Sequence, residues 1–128
     1  MAEMTPEAEN AIEEVEDIVK RCVRCGACKS LCPVFRALHE EANSPRGKAI
    51  MLKDKIYSNL IYDCTLCKAC ESKCPTGVRL CEAFRKARMI ITEKGKGTKE
   101  NKEMIKKIKE AGNPFGKDAG KDKKLYCC

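Results

Sequence analysis

Apolar residues near the start of the chain recur at helical spacing, with Ala8, Ala11, Ile12, Val15, Ile18, Val19 and Cys22 on one stripe and acidic side chains between them. In front of the stripe stands Thr5-Pro6-Glu7. It combines a hydroxyl that can accept from free amides, a proline that loses nothing at the first helical position, and a carboxylate at the positive end of the dipole. The pattern predicts a helix from about 6 to 20. Further on, PVFRALHEEANSPRGKAIMLKDKIYSNLIYD predicts a short helix in its first half and a second start at Ser44-Pro45, with Ala49, Ile50, Leu52, Ile56, Leu60 and Ile61 on roughly one face. TGVRLCEAFRKARMIITEKG then sets Val78, Cys81, Phe84, Ala87 and Ile91 on an apolar stripe backed by basic residues. Gly95-Lys96-Gly97 breaks the pattern, and Thr98 is placed to cap a last helix with Met104, Ile105, Ile108 and Ala111 inward and Gly112 as its stop. From Asn113 the Gly- and Lys-rich text reads as an exposed tail. No period-two alternation stands out, so the expected fold is all-α. The expected organisation is an acidic helix over 1–20, a core over 21–94, and a Lys-rich helix and tail over 95–128.

Two runs interrupt these helices, CVRCGACKSLCP at 22–33 and CTLCKACESKCP at 64–75, with the same cysteine rhythm. They matter because the rest of the chain offers little to build a large core: 128 residues, three Phe, three Tyr and no Trp. Such a chain needs another source of cohesion. MAEMTPEAENAIEEVEDIVK has neither an apolar stretch nor a basic start, and no run approaches 18 apolar residues, so the chain is expected to be cytoplasmic and without a membrane span of its own. In that reducing compartment eleven cysteines point to metal ligation rather than to disulfides.

A [4Fe–4S] cube needs one thiolate per iron, and a C-x2-C-x2-C loop can curl around it so that three sulfurs meet three corners. In two-cluster ferredoxins the fourth cysteine of such a run ligates the other cluster. The expected assignment is therefore crossed, with Cys22, Cys25, Cys28 and Cys74 on one cluster and Cys64, Cys67, Cys70 and Cys32 on the other. Gly26, Ala27 and Ala69 are small enough for amides to approach the cluster, and Pro33 and Pro75 suit a sharp exit. Arg21, Arg24, Lys29, Lys68 and Lys73 flank the ligands, either as solvated charges or as groups that favour the reduced cluster. Zinc also takes C-x2-C pairs, but the third and fourth cysteines of each run have the wrong rhythm for a ribbon or finger. The formal net charge of +7 counts all cysteines as neutral. Two cubane sites of about −2 each bring it to roughly +3. The basicity is then partly counter-charge, and no nucleic acid is expected, since the Lys-rich stretch 94–124 lacks interleaved aromatics apart from Phe115.

CVRCGACKSLCP, SPRGKAIML and DCTLCKACESKCPTGV together cover most of residues 20–92. They resemble the cluster-binding part of the heterodisulfide reductase, glycolate-oxidase, anaerobic glycerol-3-phosphate dehydrogenase and lactate-utilisation iron–sulfur subunits; the iron–sulfur subunit of succinate dehydrogenase is more distantly similar. The resemblance implies an α-helical ferredoxin fold, two [4Fe–4S] clusters with the crossed ligation above, and an electron-transfer role in a multi-subunit oxidoreductase. Implied partners are a flavin-containing dehydrogenase subunit, a CCG-domain subunit, or a quinone- or ferredoxin-linked protein. In longer relatives a linker similar to GNPFG leads into a CCG domain. Here GNPFGKDAGKDKKLYCC ends, and a separate polypeptide is expected to supply that chemistry.

The remaining residues carry less. Cys81 sits on an apolar stripe and reads as a core thiol; the lone His39 reads as a surface residue. Neither a GxGxxG nor a P-loop is present, so nothing in the sequence holds flavin, nicotinamide or ATP. Two alternatives compete with the subunit reading: a free ferredoxin-like carrier, and a thiol–disulfide catalyst using Cys127 and Cys128, whose pairing with each other would strain the ring.

Overall fold

The computed structural model describes residues 5–117, and among these every regular element is helical. The helices are α1 (Pro6–Lys20), α2 (Pro33–Leu38), α3 (Pro45–Lys53), α4 (Ala69–Ser72), α5 (Leu80–Glu93) and α6 (Lys99–Ala111), with short 3₁₀ segments at Ala27–Leu31, Glu41–Asn43 and Asn59–Asp63. The chain divides into two compact units at Lys96/Gly97.

In the first unit the apolar stripe of α1 packs along that of α5, so the acidic helix is a wall of the core. Ala8, Ala11, Val15 and Val19 are buried from α1; Leu80, Cys81, Ala83, Phe84, Ala87, Ile90 and Ile91 from α5; Ala49 and Leu52 from α3. Each fully buried Val, Leu, Ile or Phe in that set contributes about 1.5–3 kcal/mol. Polar contacts fix the register of α1. Glu14 pairs with Lys86, Glu16 with Lys55 at 2.8 Å, and the Thr5 hydroxyl donates to the Glu93 carboxylate at 2.9 Å. Thr5 thus differs from expectation: its side chain caps no amide of α1, and its carbonyl instead accepts from Ala8 and Glu9.

The short segment Asn59–Asp63 is held against α5 by Arg88. This guanidinium donates to the carbonyls of Ile61 at 3.0 Å, Tyr62 at 3.4 Å and Cys64, while the Tyr62 hydroxyl meets Thr92 Oγ1 at 3.0 Å. Carbonyls at the end of a helical turn lack internal partners, and one fork-shaped donor satisfies three of them.

Two expectations need correction. The stripe from Ala49 to Ile61 is not one helical face. Helix α3 stops at Lys53, Lys55 takes a left-handed conformation (φ 59°), and the Lys55 and Ile56 amides fold back onto the Leu52 and Met51 carbonyls. That is a Schellman stop with lysine in the usual glycine position; it leaves Ile56 52% exposed while Ile61 is buried. In the second unit, the Thr98 side chain accepts from the Asn101 amide and Gly112 (φ 72°) ends α6, as expected. Yet Met104 and Ile108 are each 43% exposed, and no residue of α6 is buried.

The start of α3 leaves no room for a side chain at one position. Ser44 Oγ accepts from the Gly47 amide at 2.8 Å, and a Cβ on Gly47 would lie 1.9 Å from the Glu41 carbonyl oxygen. Backbone cannot yield as a side-chain tip can. Gly47→Ala should destabilise the unit by on the order of 3 kcal/mol. The check is anaerobic thermal inactivation of the loaded protein, with a conservative Ser44→Thr exchange as the milder comparison.

Candidate metal centre

The two cysteine runs share a backbone as well as a rhythm. In each, the third and fifth positions are left-handed: Arg24 (φ 59°) and Gly26 (φ 80°) in the first, Leu66 (φ 55°) and Lys68 (φ 61°) in the second. A left-handed L-residue costs about 1–2 kcal/mol, so Arg24, Leu66 and Lys68 hold that shape only because the surrounding loop requires it. Gly26 takes the left-handed conformation without that cost, and the Arg46 Nη1 stands 2.9 Å from where a Cβ would be, a side-chain tip that can move aside. Each run then enters a short helical turn, Ala27–Leu31 or Ala69–Ser72, which turns the chain toward its exit cysteine.

The exit cysteines do not stay with their own runs. One cavity is walled by Cys22, Cys25, Cys28 and Cys74, with Arg24, Arg46 and Thr76 among its other linings. A second is walled by Cys32, Cys64, Cys67 and Cys70, with Asn43, Lys48, Cys81 and Phe84 beside them. All eight cysteines expected to bind clusters are thus gathered, three from one run and one from the other in each cavity. Among the described residues no three His, Cys, Asp or Glu side chains close tightly enough around one point to hold a single metal ion. Four thiols in each cavity match the one thiolate per iron that a cube needs.

The sulfurs also receive hydrogen bonds. Val78 N–H donates to Cys74 Sγ at 3.3 Å and Thr76 Oγ1 lies 3.4 Å from it, in the first cavity. Leu66 N–H donates to Cys64 Sγ at 3.4 Å and Phe35 N–H to Cys32 Sγ at 3.5 Å, in the second. Such bonds favour the thiolate and tune a bound cluster. At Cys74 burial alone would raise the thiol, but the Thr76 hydroxyl and the Val78, Thr76 and Gly77 amides outweigh it and hold the thiol below its ordinary value. Burial pushes Cys28 and Cys70 up, the second further. Ligation of the raised thiols must therefore release protons.

Several residues at the site were not assigned a role from sequence. The SPRGK stretch sends Arg46 to the first cavity and Lys48 to the second. Glu41 pairs with Arg46 at 2.7 Å and Lys29 at 2.6 Å, and those hydrogen bonds, Arg46 first, hold its carboxyl at about 2. Lys29, expected beside the ligands either as a solvated charge or as one that favours the reduced cluster, is ion-paired to Glu41; it also lies 4.7 Å above the Phe35 ring. Arg21 donates to the Thr76 carbonyl at 3.1 Å. Glu71 accepts from the Cys81 amide at 2.9 Å, tying the second run to the start of α5. Cys81 is buried as expected at 2% exposure, but it also faces the second cavity. His39 is exposed and ends α2 in a left-handed conformation. Cys127 and Cys128 lie outside the described residues. No helix among the described residues is long and apolar enough to cross a membrane.

Comparison with known proteins agrees with this chemistry. Residues 18–78 match the family model described as a 4Fe-4S dicluster domain, which spans both cysteine runs. The glycolate oxidase iron-sulfur subunit of Escherichia coli (strain K12) is 35% identical over 46 residues, covering 36% of this chain. The matched stretch is 11% of that relative's length. With a dicluster match over both runs and eight thiols gathered in two cavities of an all-helical frame, the chain is an iron–sulfur electron-transfer protein with two [4Fe–4S] clusters.

Proposed function

We propose that this chain is the electron-transfer subunit of a multi-subunit oxidoreductase of the heterodisulfide reductase, 2-hydroxy-acid dehydrogenase or glycerol-3-phosphate dehydrogenase type. Cys22, Cys25, Cys28 and Cys74 hold one cluster in this reading, and Cys64, Cys67, Cys70 and Cys32 the other. The observation that supports it most is the exchange of exit cysteines between the two cavities, because it gives each cavity four thiols. The clusters supply one-electron transfer; the polypeptide contributes ligands, sulfur hydrogen bonds and nearby charge.

A flavin-containing dehydrogenase subunit is the partner this reading favours, since the E. coli relative is named as an iron–sulfur subunit of glycolate oxidase. A CCG-domain or quinone-linked subunit is the corresponding acceptor. The donor and acceptor chemistry resides on those partners, in a cytoplasmic complex that is peripheral to a membrane only where a partner is.

Anaerobic analysis of protein drawn gently from its native extract should give about eight iron and eight acid-labile sulfide per chain, with interacting low-temperature EPR signals after dithionite and a co-purifying flavoprotein. Zinc in place of iron would end the proposal. The crossed ligation has a sharper check. Cys22→Ser with Cys74→Ser removes two ligands from one centre and should leave about four iron, whereas Cys22→Ser with Cys32→Ser damages both and should leave close to none. The reverse pattern would mean that each run holds its own cluster.

A further inference from the structure

Helix α3 delivers one cation to each cavity, because Arg46 and Lys48 are two positions apart and point about 200° from each other around the axis. Their electrostatic settings differ. Arg46 has its side chain 30% exposed and is offset by the Glu41 carboxylate at 2.7 Å. Lys48 is 1% exposed, and its ammonium donates to the Asn43 carbonyl at 2.8 Å. Among the described residues no carboxylate lies within ion-pairing distance of it. Asp63, whose charge it feels, is exposed to solvent.

A buried ammonium without a carboxylate is costly in a protein of this size unless negative charge stands nearby. Burial pushes the Lys48 ammonium below its ordinary range, and negative charge at Cys64, Asp63 and Cys32, the first and last of which line the same cavity, works against that. Arg88 adds a second cation on the same side through the Cys64 carbonyl. The sulfur hydrogen bonds are concentrated in the first cavity, where Cys74 receives the Thr76 hydroxyl and the Val78, Thr76 and Gly77 amides, against one amide each at Cys64 and Cys32 in the second. What sets the second cavity apart is a buried ammonium with no carboxylate within ion-pairing distance.

We infer that Lys48 sets the direction of electron flow, by making the Cys32/Cys64/Cys67/Cys70 side the better electron acceptor of the two. The inference rests on the ligand assignment proposed above. An added electron is an added negative charge, and a buried ammonium with no carboxylate within ion-pairing distance favours it more than a partly exposed, carboxylate-paired guanidinium does. With clusters bound, Cys22, Cys25, Cys28 and Cys74 would hold the donor and Cys32, Cys64, Cys67 and Cys70 the acceptor, and the chemistry supplied would be one-electron transfer with no bond made or broken. The reduced flavin of the dehydrogenase partner supplies the electron, and the quinone- or disulfide-reducing partner removes it. Lys48 acts as a positioning charge and touches no substrate.

The test is an EPR-monitored redox titration of the intact, anaerobically prepared protein, with Cys25→Ser and Cys67→Ser used to assign each signal to its cavity. In the unsubstituted chain the Cys67-linked signal should have the higher potential. Lys48→Met should keep about eight iron and lower the reduced-to-oxidised ratio of that signal at least tenfold at fixed ambient potential, equivalent to ~59 mV for one electron. The Cys25-linked signal should move much less, and Lys48→Arg should restore the original order. Should Lys48→Met load poorly, Thr65→Asp places a carboxylate on an exposed position of the same cavity wall and should lower the same signal. Full iron with unmoved potentials in Lys48→Met, or in Thr65→Asp where that variant is read, overturns the inference and leaves the two-cluster reading standing. A higher potential on the Cys25-linked signal overturns it equally. Absence of iron from the unsubstituted protein would instead refute the ligand assignment, and this inference with it.

Discussion

The structure depends on a trade between the two cysteine runs. Cys32 leaves the first run and lines the cavity of the second, and Cys74 leaves the second and lines the cavity of the first. Neither cavity has four thiols unless both runs are in place, so the residues between 33 and 63 must return the chain to within reach of its start. That requirement explains why a chain with so few aromatic residues maintains a defined fold. The helical hydrophobic core is modest, with Phe84 its one buried Phe, and cross-linking through metal centres substitutes for area that the core lacks.

The connecting segment works through one short helix. At α3, Ser44 caps the first turn, Gly47 permits the Glu41 carbonyl to lie against the backbone, and Arg46 and Lys48 face different cavities. Arg88 performs the complementary task from α5, gathering the carbonyls that lead into Cys64. Both sets of contacts place charge beside sulfur, so the residues that close the fold also set the field in which electrons move. Removal of any one of them would change shape and electrostatics together, which is why potentials, rather than turnover, are the informative readout.

The second unit follows different physics. Its helix α6 is bounded by a local cap at Thr98 and a left-handed glycine at Gly112, both legible in the sequence, but Met104 and Ile108 are far more exposed than a helical stripe suggests. A stripe shows that a helix has an apolar side; it does not show that anything covers it.

The sequence by itself determined the all-helical class, the bounds of α1 and α6, the start of α3, the eight cysteines and the cofactor they imply. All of these rest on local chemistry: capping side chains, helical periodicity, and the fixed spacing a cubane needs. Its reading failed where distant chain segments intervene. Lys55 stopped α3 early because a left-handed residue closed the helix without glycine, and the Thr5 hydroxyl turned to Glu93 instead of a nearby amide. Lys48 was the least legible, since lysine is ordinarily a surface residue and only the convergence of α3 with the second cysteine run encloses its ammonium. The candidate ligands are written in the order of residues, but the charge around each of them depends on which helix packs against which loop, and tertiary structure alone decides that.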